Sequence, residues 1–246
     1  MTATQAEDAS ARRTQRIYAR LAGFLFLWLI VNAIAGNLII THIAGSGSFA
    51  ETAGRVAESE RLYRVGLSSA VLETLSSVLL AFALYATLKF VDTLLAQLAM
   101  IFSLQDAFLA CLVRVCDFVR LHLYTSSQTA GAGAVSSQIL ADLMRSIAAI
   151  TENVGGICFG IGSLLFFYLF FRSRYIPKIL SGLGVLASAI WIALYFANLI
   201  FPEQHAVFLR ICFPPMALAD IATGVWLSVF SIERRRRGNV AVSAGL

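Results

Sequence analysis

The sequence predicts an all-α fold, a polytopic integral membrane bundle of six transmembrane helices with one short external amphipathic helix. Hydrophobic residues make up 59% of the chain and charged residues only 13%, about half the charged fraction of a soluble domain. The mean hydropathy is +0.78. Six apolar runs also reach the roughly 20 residues that a helix needs to cross about 30 Å of hydrocarbon. These runs are Leu21–Ile40, Val65–Leu88, Leu94–Val119, Ile147–Phe171, Ile179–Phe201 and Ile211–Ile232.

Basic residues orient the six spans. The segments assigned to the cytoplasm carry Arg12, Arg13, Arg16, Arg20, Lys89, Arg172, Arg174, Lys178 and the run Arg234–Arg237. Because lysine and arginine are retained on the cytoplasmic side, we expect a multi-pass protein of the cell (inner) membrane with both termini in the cytoplasm.

The two ends of the chain are expected to lie outside the six-span domain, which covers residues 16–233. Residues 1–15 are polar and lack hydrophobic periodicity, which predicts a disordered cytoplasmic tail. Residues 234–246 form a basic cytoplasmic tail. Its arginines Arg234–Arg237 follow the sixth span directly, so we expect them to bind anionic lipid headgroups of the bilayer. No nucleic-acid partner is expected.

The longest connection between spans, Ile43–Arg64, contains a helix-start signal. Ser48 and Glu51 have the spacing of a capping box, in which the hydroxyl and the carboxylate each accept a hydrogen bond from a free backbone amide. This predicts a short helix on the outer membrane surface. It either joins two spans or covers an outward-facing cavity as a lid.

Small residues in the fourth and fifth spans predict close helix packing. Gly156 and Gly160 lie on one face of the fourth span, and Gly182, Gly184 and Ser188 form a similar stripe on the fifth. Small residues let helix backbones approach closely in lipid. The glycine face is expected to pack inside one chain, and a homodimer through the same face is the alternative.

Ionisable and amide side chains occur in all six spans, between the midplane and the outer leaflet. Such groups usually face a bundle interior or a wet cavity. We therefore predict a water-accessible, acid-lined cavity that opens to the outside, with Arg114 at its edge. The alternative is a structural network in which Arg114 pairs with a carboxylate and fixes the helix register. The candidate cavity residues are Glu73, Asp106, Arg114, Glu152, Asn153, Asp220, Asn32 and Asn198.

Arg114, Asp117 and Arg120 follow one another at steps of three on the third span, which predicts ion pairs along one helix face. The three histidines lack metal-ligand spacing, and the four cysteines contain no CxxC pair. No nucleotide-binding motif is present. Neither a metal nor a cofactor is expected, and catalytic residues cannot be named from the pattern.

Several short motifs resemble a bacterial family of six-span proteins described as domain of unknown function 4386. The clearest is the turn Phe171-Arg-Ser-Arg-Tyr-Ile-Pro-Lys-Ile-Leu180, supported by Tyr18-Ala-Arg-Leu-Ala-Gly23, Tyr63-Arg-Val-Gly66 and Ala81-Phe-Ala-Leu-Tyr85. The resemblance covers roughly Arg16 to Ile232 and implies the six-span fold. This chain departs from the family pattern at Arg174, where glycine is common, and at Asp106, where glutamate is frequent. The family supplies no catalytic residues to carry over.

Three functions fit these observations. In the first, the cavity binds or handles a small apolar or cationic molecule. In the second, the protein is an intramembrane enzyme, with a protonated carboxylate as general acid on an isoprenoid or lipid. In the third, it is a non-catalytic accessory or scaffold subunit whose polar groups only set helix packing.

Overall fold

The structure, a computed structural model, describes residues 3–126 and 134–230, and these residues form seven α-helices with no strand among them. Six of the helices are long and apolar enough to cross a membrane, which confirms the six predicted spans. The chain is a multi-pass membrane protein. The helices are α1 (Ala3–Ala44), α2 (Phe49–Glu58), α3 (Glu60–Leu88), α4 (Thr93–Ser126), α5 (Ala134–Ser173), α6 (Lys178–Ile200) and α7 (His205–Phe230). A 3-10 helix, Pro202–Gln204, joins α6 to α7.

The spanning helices form a closed ring in chain order. Each packs against the next, and α7 closes the ring against α1. One apolar core draws residues from all six, with Phe166, Phe167 and Phe170 of α5 among its largest members. We call the end that carries the α3–α4 and α5–α6 turns the turn end, and the opposite one the α2 end.

The short helix α2 begins as predicted. The Glu51 amide donates to the Ser48 hydroxyl at 3.4 Å, and the Ser48 amide donates to the Glu51 carboxylate at 3.1 Å, which completes the capping box. Arg55 donates to the carbonyls of Ile43 and Ala44 at 3.3 and 2.5 Å. These bonds satisfy carbonyls that the last turn of α1 leaves free, so α2 is fixed over the end of α1.

The first helix begins earlier than predicted. Residues 3–15, which the sequence analysis assigned to a disordered tail, belong to α1. The sequence of this segment includes alanine, glutamine, glutamate and arginine, which favour helix, although it has no apolar periodicity. The Gln15 side chain donates to the Thr87 carbonyl at 2.8 Å and to the Tyr175 hydroxyl at 3.0 Å, which anchors α1 at the turn end. The predicted lipid contact of Arg234–Arg237 lies outside the described residues and stays a prediction.

The hairpin of α4 and α5 is much longer than the predicted spans. Helix α6 has 23 residues and is about 34 Å long, enough to cross the hydrocarbon. Near its end, Asn198 donates a hydrogen bond to Asn153 of α5. Since α6 ends two residues after Asn198, residues 134–150 of α5 continue past the end of α6 by about 25 Å at 1.5 Å per residue. Beside them, Val113 and Cys116 of α4 pack against Met144 and Ala148 of α5.

Arg174, in the turn between α5 and α6, adopts a left-handed backbone conformation. Arg174 has φ 58°, the only described non-glycine residue with positive φ. Its amide donates to the Phe170 carbonyl at 2.9 Å and closes the last turn of α5. A left-handed residue in this position is a common helix stop, and glycine adopts it without a steric cost.

Candidate functional site

Three carboxylates from three helices meet on the α2 side of the ring. Asp106 of α4 interacts electrostatically with Glu73 of α3 and Glu152 of α5. Its carboxylate oxygen lies 3.1 Å from the point where a side chain on Gly155 would begin. The missing side chain at Gly155 thus lets Asp106 approach the backbone of α5. We call Glu73, Asp106 and Glu152 the acidic cluster.

Asp220 does not join the acidic cluster. It lies on α7, which packs against α1 and α6 rather than against α3 or α4. Its environment is set by burial, without another charged side chain from the described residues. Depth along each span can be counted from the sequence, but the position of a span in the ring cannot. For this reason the four acids looked equivalent in the sequence.

Arg114 connects the acidic cluster to an ion-pair ladder on α4. It pairs with Asp117 at 3.2 Å, and Asp117 also pairs with Arg120 at 3.3 Å. Arg120 donates to the Tyr124 hydroxyl at 3.1 Å. Glu73 interacts electrostatically with Arg114 across the α3–α4 contact. The ladder follows the predicted steps of three, and Arg114 also interacts electrostatically with Glu73 of the neighbouring helix.

The three candidate amides join neighbouring helices. Asn198 of α6 donates to Asn153 of α5, the residue after Glu152. Asn32 of α1 accepts a hydrogen bond from Ser69 of α3 at 2.6 Å, and Ser69 precedes Glu73 by about one helical turn. These hydrogen bonds stabilise helix pairs on either side of the acidic cluster.

A cleft of about 540 Å³ lies between α3 and α4 on the same side of the bundle. We call it the α3–α4 groove. Its walls are mainly apolar, and Arg114 and His122 contribute its ionisable side chains. The lining residues are Val71, Thr74, Cys111, Arg114, Val115, Phe118, Val119 and His122.

The groove differs from the acid-lined cavity that the sequence predicted, because none of the acidic cluster lines it. Consecutive residues on a helix point about 100° apart, so Thr74 faces the groove while Glu73 faces Asp106 and Arg114. The groove residues of α4, Cys111, Val115, Phe118 and His122, recur at helical spacing. In an apolar span this spacing is the same as that of a lipid-facing stripe, so the groove could not be recognised from the sequence.

The predicted glycine face is occupied by α6 of the same chain. A side chain on Gly156 would overlap the Tyr195 ring, and one on Gly160 would begin 2.6 Å from Ile192. The Trp191 indole donates to the Gly156 carbonyl at 3.0 Å. Close approach at this face therefore serves packing within the bundle, leaving no room there for a second copy.

The site offers donors and an apolar surface rather than metal ligands. Among residues 3–126 and 134–230, no group of three or more histidine, cysteine, aspartate or glutamate side chains could hold a metal ion. The groove supplies a guanidinium, an imidazole, a hydroxyl and a thiol beside apolar walls. This chemistry suits a molecule with an apolar body.

Comparison with known protein families places the chain in a family. The family model described as domain of unknown function 4386 matches residues 21–230. Neither the curated proteins nor the solved structures give a match.

Proposed function

Since the chain belongs to the family described as domain of unknown function 4386, which names no activity, we propose a function from the geometry of the site. The protein binds a small, mainly apolar molecule in the α3–α4 groove. The volume of the groove, about 540 Å³, carries this proposal. Pockets for small ligands have volumes of roughly 300–1,000 Å³ and mostly apolar walls. Of the ligand classes that the sequence predicted, the apolar one fits these walls.

We further propose that the groove opens in the outer half of the cell (inner) membrane, with both termini in the cytoplasm. Lys89, Arg172, Arg174 and Lys178 lie at the turn end, which favours the cytoplasm for that end. The groove residues of α4, from Cys111 to His122, lie towards the opposite end of the helix.

Arg114 determines whether the groove favours neutral or cationic ligands. Its guanidinium is paired with Asp117 and interacts electrostatically with Glu73, so its charge is partly compensated. A cationic ligand would have to reach Glu73 or Asp106 past this guanidinium. A neutral ligand meets no such barrier. Of the acidic cluster, Glu73 is the member that interacts with Arg114.

The native cysteines supply a test. Cys111 lines the groove and is exposed, whereas Cys116, Cys158 and Cys212 are buried. In the full chain reconstituted in lipid nanodiscs, N-ethylmaleimide should modify Cys111 first, as measured by peptide mass. Saturating N-phenyl-1-naphthylamine, a neutral apolar probe, should slow this modification at least threefold. The cation tetraphenylphosphonium should slow it less.

A pair of variants separates binding in the groove from partition into lipid. Val115→Trp fills the groove and should abolish the protection of Cys111 by N-phenyl-1-naphthylamine. Val225→Trp places the same side chain on an exposed position of α7 and should leave the protection unchanged. Equal protection in both variants, or none in the wild type, would show that the groove binds no such molecule.

A further inference from the structure

Helix α5 carries an exposed apolar stripe that begins level with the last turn of α6 and continues beyond it. The stripe consists of Leu140, Leu143, Ile147, Ile150 and Val154, with exposed fractions of 42, 51, 41, 62 and 38%. The spacing between its members alternates between three and four residues. This is the heptad spacing of a helix that packs against another along its length.

The position of the stripe removes the usual explanation for exposed apolar residues on a membrane protein. Asn153 lies level with the last turn of α6, to which it is joined by the hydrogen bond from Asn198. Leu143 is ten residues further out, about 15 Å along the helix, and Leu140 is further still. This part of the stripe lies past the hydrocarbon that α6 crosses, where a continuous apolar surface marks an interaction site.

We propose that the α5 stripe packs against the α5 stripe of a second copy of this chain, as a parallel two-stranded coiled coil above the membrane surface. Copies inserted in one membrane share one orientation, so the twofold axis that relates them lies along the membrane normal. The two α5 helices then run parallel, and each residue of the stripe meets its own counterpart. An alternation of three and four residues is the pattern that such self-pairing requires.

The distribution of charges along α5 favours a second copy of the chain as the partner of the stripe. The positions that flank the stripe hold Met144, Ser146, Thr151 and Asn153, which are uncharged. The charged side chains Asp142, Arg145 and Glu152 occupy heptad positions away from it. Two identical copies therefore meet without the repulsion between like charges that flanking positions would otherwise impose. A partner recognised by charge would have little to bind here.

The proposed interface is independent of the α3–α4 groove and of the glycine face. The groove lies on the α3 side of α4, whereas the stripe lies on α5. Gly156 and Gly160 are covered by α6. The dimer therefore leaves both features as they are in one chain.

Disulfide cross-linking tests the geometry directly. A disulfide needs two Cα atoms within about 7 Å, which a parallel pair provides only at positions on the seam. In a Cys111→Ser background, which removes the exposed thiol, Leu143→Cys should form a covalent dimer when membranes are oxidised. Arg145→Cys, two residues away on another face of the same helix and also exposed, should remain monomeric. Cross-linking at Arg145 but not at Leu143, or at neither, would refute the parallel coiled coil.

The mass of the particle gives the second measurement. The full chain in nanodiscs should have the mass of two copies, and Leu143→Glu with Ile147→Glu should reduce it to one. Arg145→Glu, at the same height, should keep the dimer. A wild-type mass of a single copy, or a dimer that survives the paired glutamates, would overturn the proposal. If the glutamate variant fails to insert, the cysteine pair decides the question, since it changes no charge at position 143.

Discussion

Arg174 has a backbone conformation that is unfavourable for a residue with a β-carbon. A φ of 58° places a β-carbon close to a carbonyl, at a cost of roughly 1–2 kcal/mol for most residues. Arg174→Gly should relieve this cost and raise the melting temperature by about 2–8 °C, since 1 kcal/mol corresponds to about 2–4 °C for a chain of this size. Thermal unfolding of the purified protein in detergent measures the effect.

Arg174→Ala is the matched control, because it removes the same charge and keeps the β-carbon. It should not raise the melting temperature. If both variants raise it equally, the gain comes from the lost charge and the backbone explanation is wrong.

Arg114 is the residue on which the electrostatics of the site depend. Arg114→Met should destabilise the protein by about 1–3 kcal/mol, since Asp117 loses a charged hydrogen-bond partner and Glu73 loses its nearest cation. Arg64→Met is the control: Arg64 and Glu60 form a more exposed pair at 2.8 Å, which contributes about 0–1 kcal/mol. Equal losses by thermal unfolding in the two variants would mean that Arg114 is no more than a surface ion pair.

The residues of the site show how far the sequence could lead. The steps of three along α4 correctly predicted the ladder from Arg114 to Arg120, because both partners lie on one helix. Glu73, Asp106 and Asp220 lie at similar depths, yet only the first two share a neighbourhood. Packing among all six helices decides which helices are neighbours. The spacing of residues within one helix does not predict this arrangement.

At the scale of helices, the start of α2 shows whether a capping box determines where a helix begins. Ser48→Ala removes the hydroxyl that accepts from the Glu51 amide and should cost about 0.5–2 kcal/mol. Hydrogen exchange of the amides at the start of α2 should become faster. Ser59→Ala is the control, because Ser59 precedes α3 without a side-chain capping bond, and exchange in α3 should not change. Faster exchange in both variants would indicate a general loosening.

Helix ends were predictable where a turn or cap defines them and not where the chain leaves the membrane. The capping box fixed the start of α2, and the Ile176-Pro177 step fixed the start of α6. Residues 134–146 of α5 include serine, glutamine, aspartate and arginine among apolar residues, so hydropathy fell and the predicted span began at Ile147. The helix continues because Val113 and Cys116 of α4 pack against Met144 and Ala148 of α5.

At the scale of the molecule, the two ends of the ring differ in kind. Towards the turn end the core is closed by large apolar side chains, including Phe166 and Phe170. The acidic cluster, the ladder and the groove lie on the α2 side. The α2 end also has an apolar cluster of its own, which includes Val56, Leu67 and Leu121. The orientation of the chain in the membrane decides to which face the groove opens.

The orientation of the whole molecule can be measured by labelling intact cells with a membrane-impermeant maleimide. In a Cys111→Ser background, a cysteine in place of Ser46, which is exposed before α2, should react from outside. A cysteine in place of Lys178, exposed at the start of α6, should react only after the cells are permeabilised. The expectation follows from the basic residues at the turn end, which are retained in the cytoplasm. Lys178 is a better labelling position than Ser173 in the same turn. Ser173 is 7% exposed, so a cysteine there would stay unlabelled on either side of the membrane. Labelling at position 178 in intact cells, with none at position 46, would show that the chain has the opposite orientation. The groove would then open in the inner leaflet.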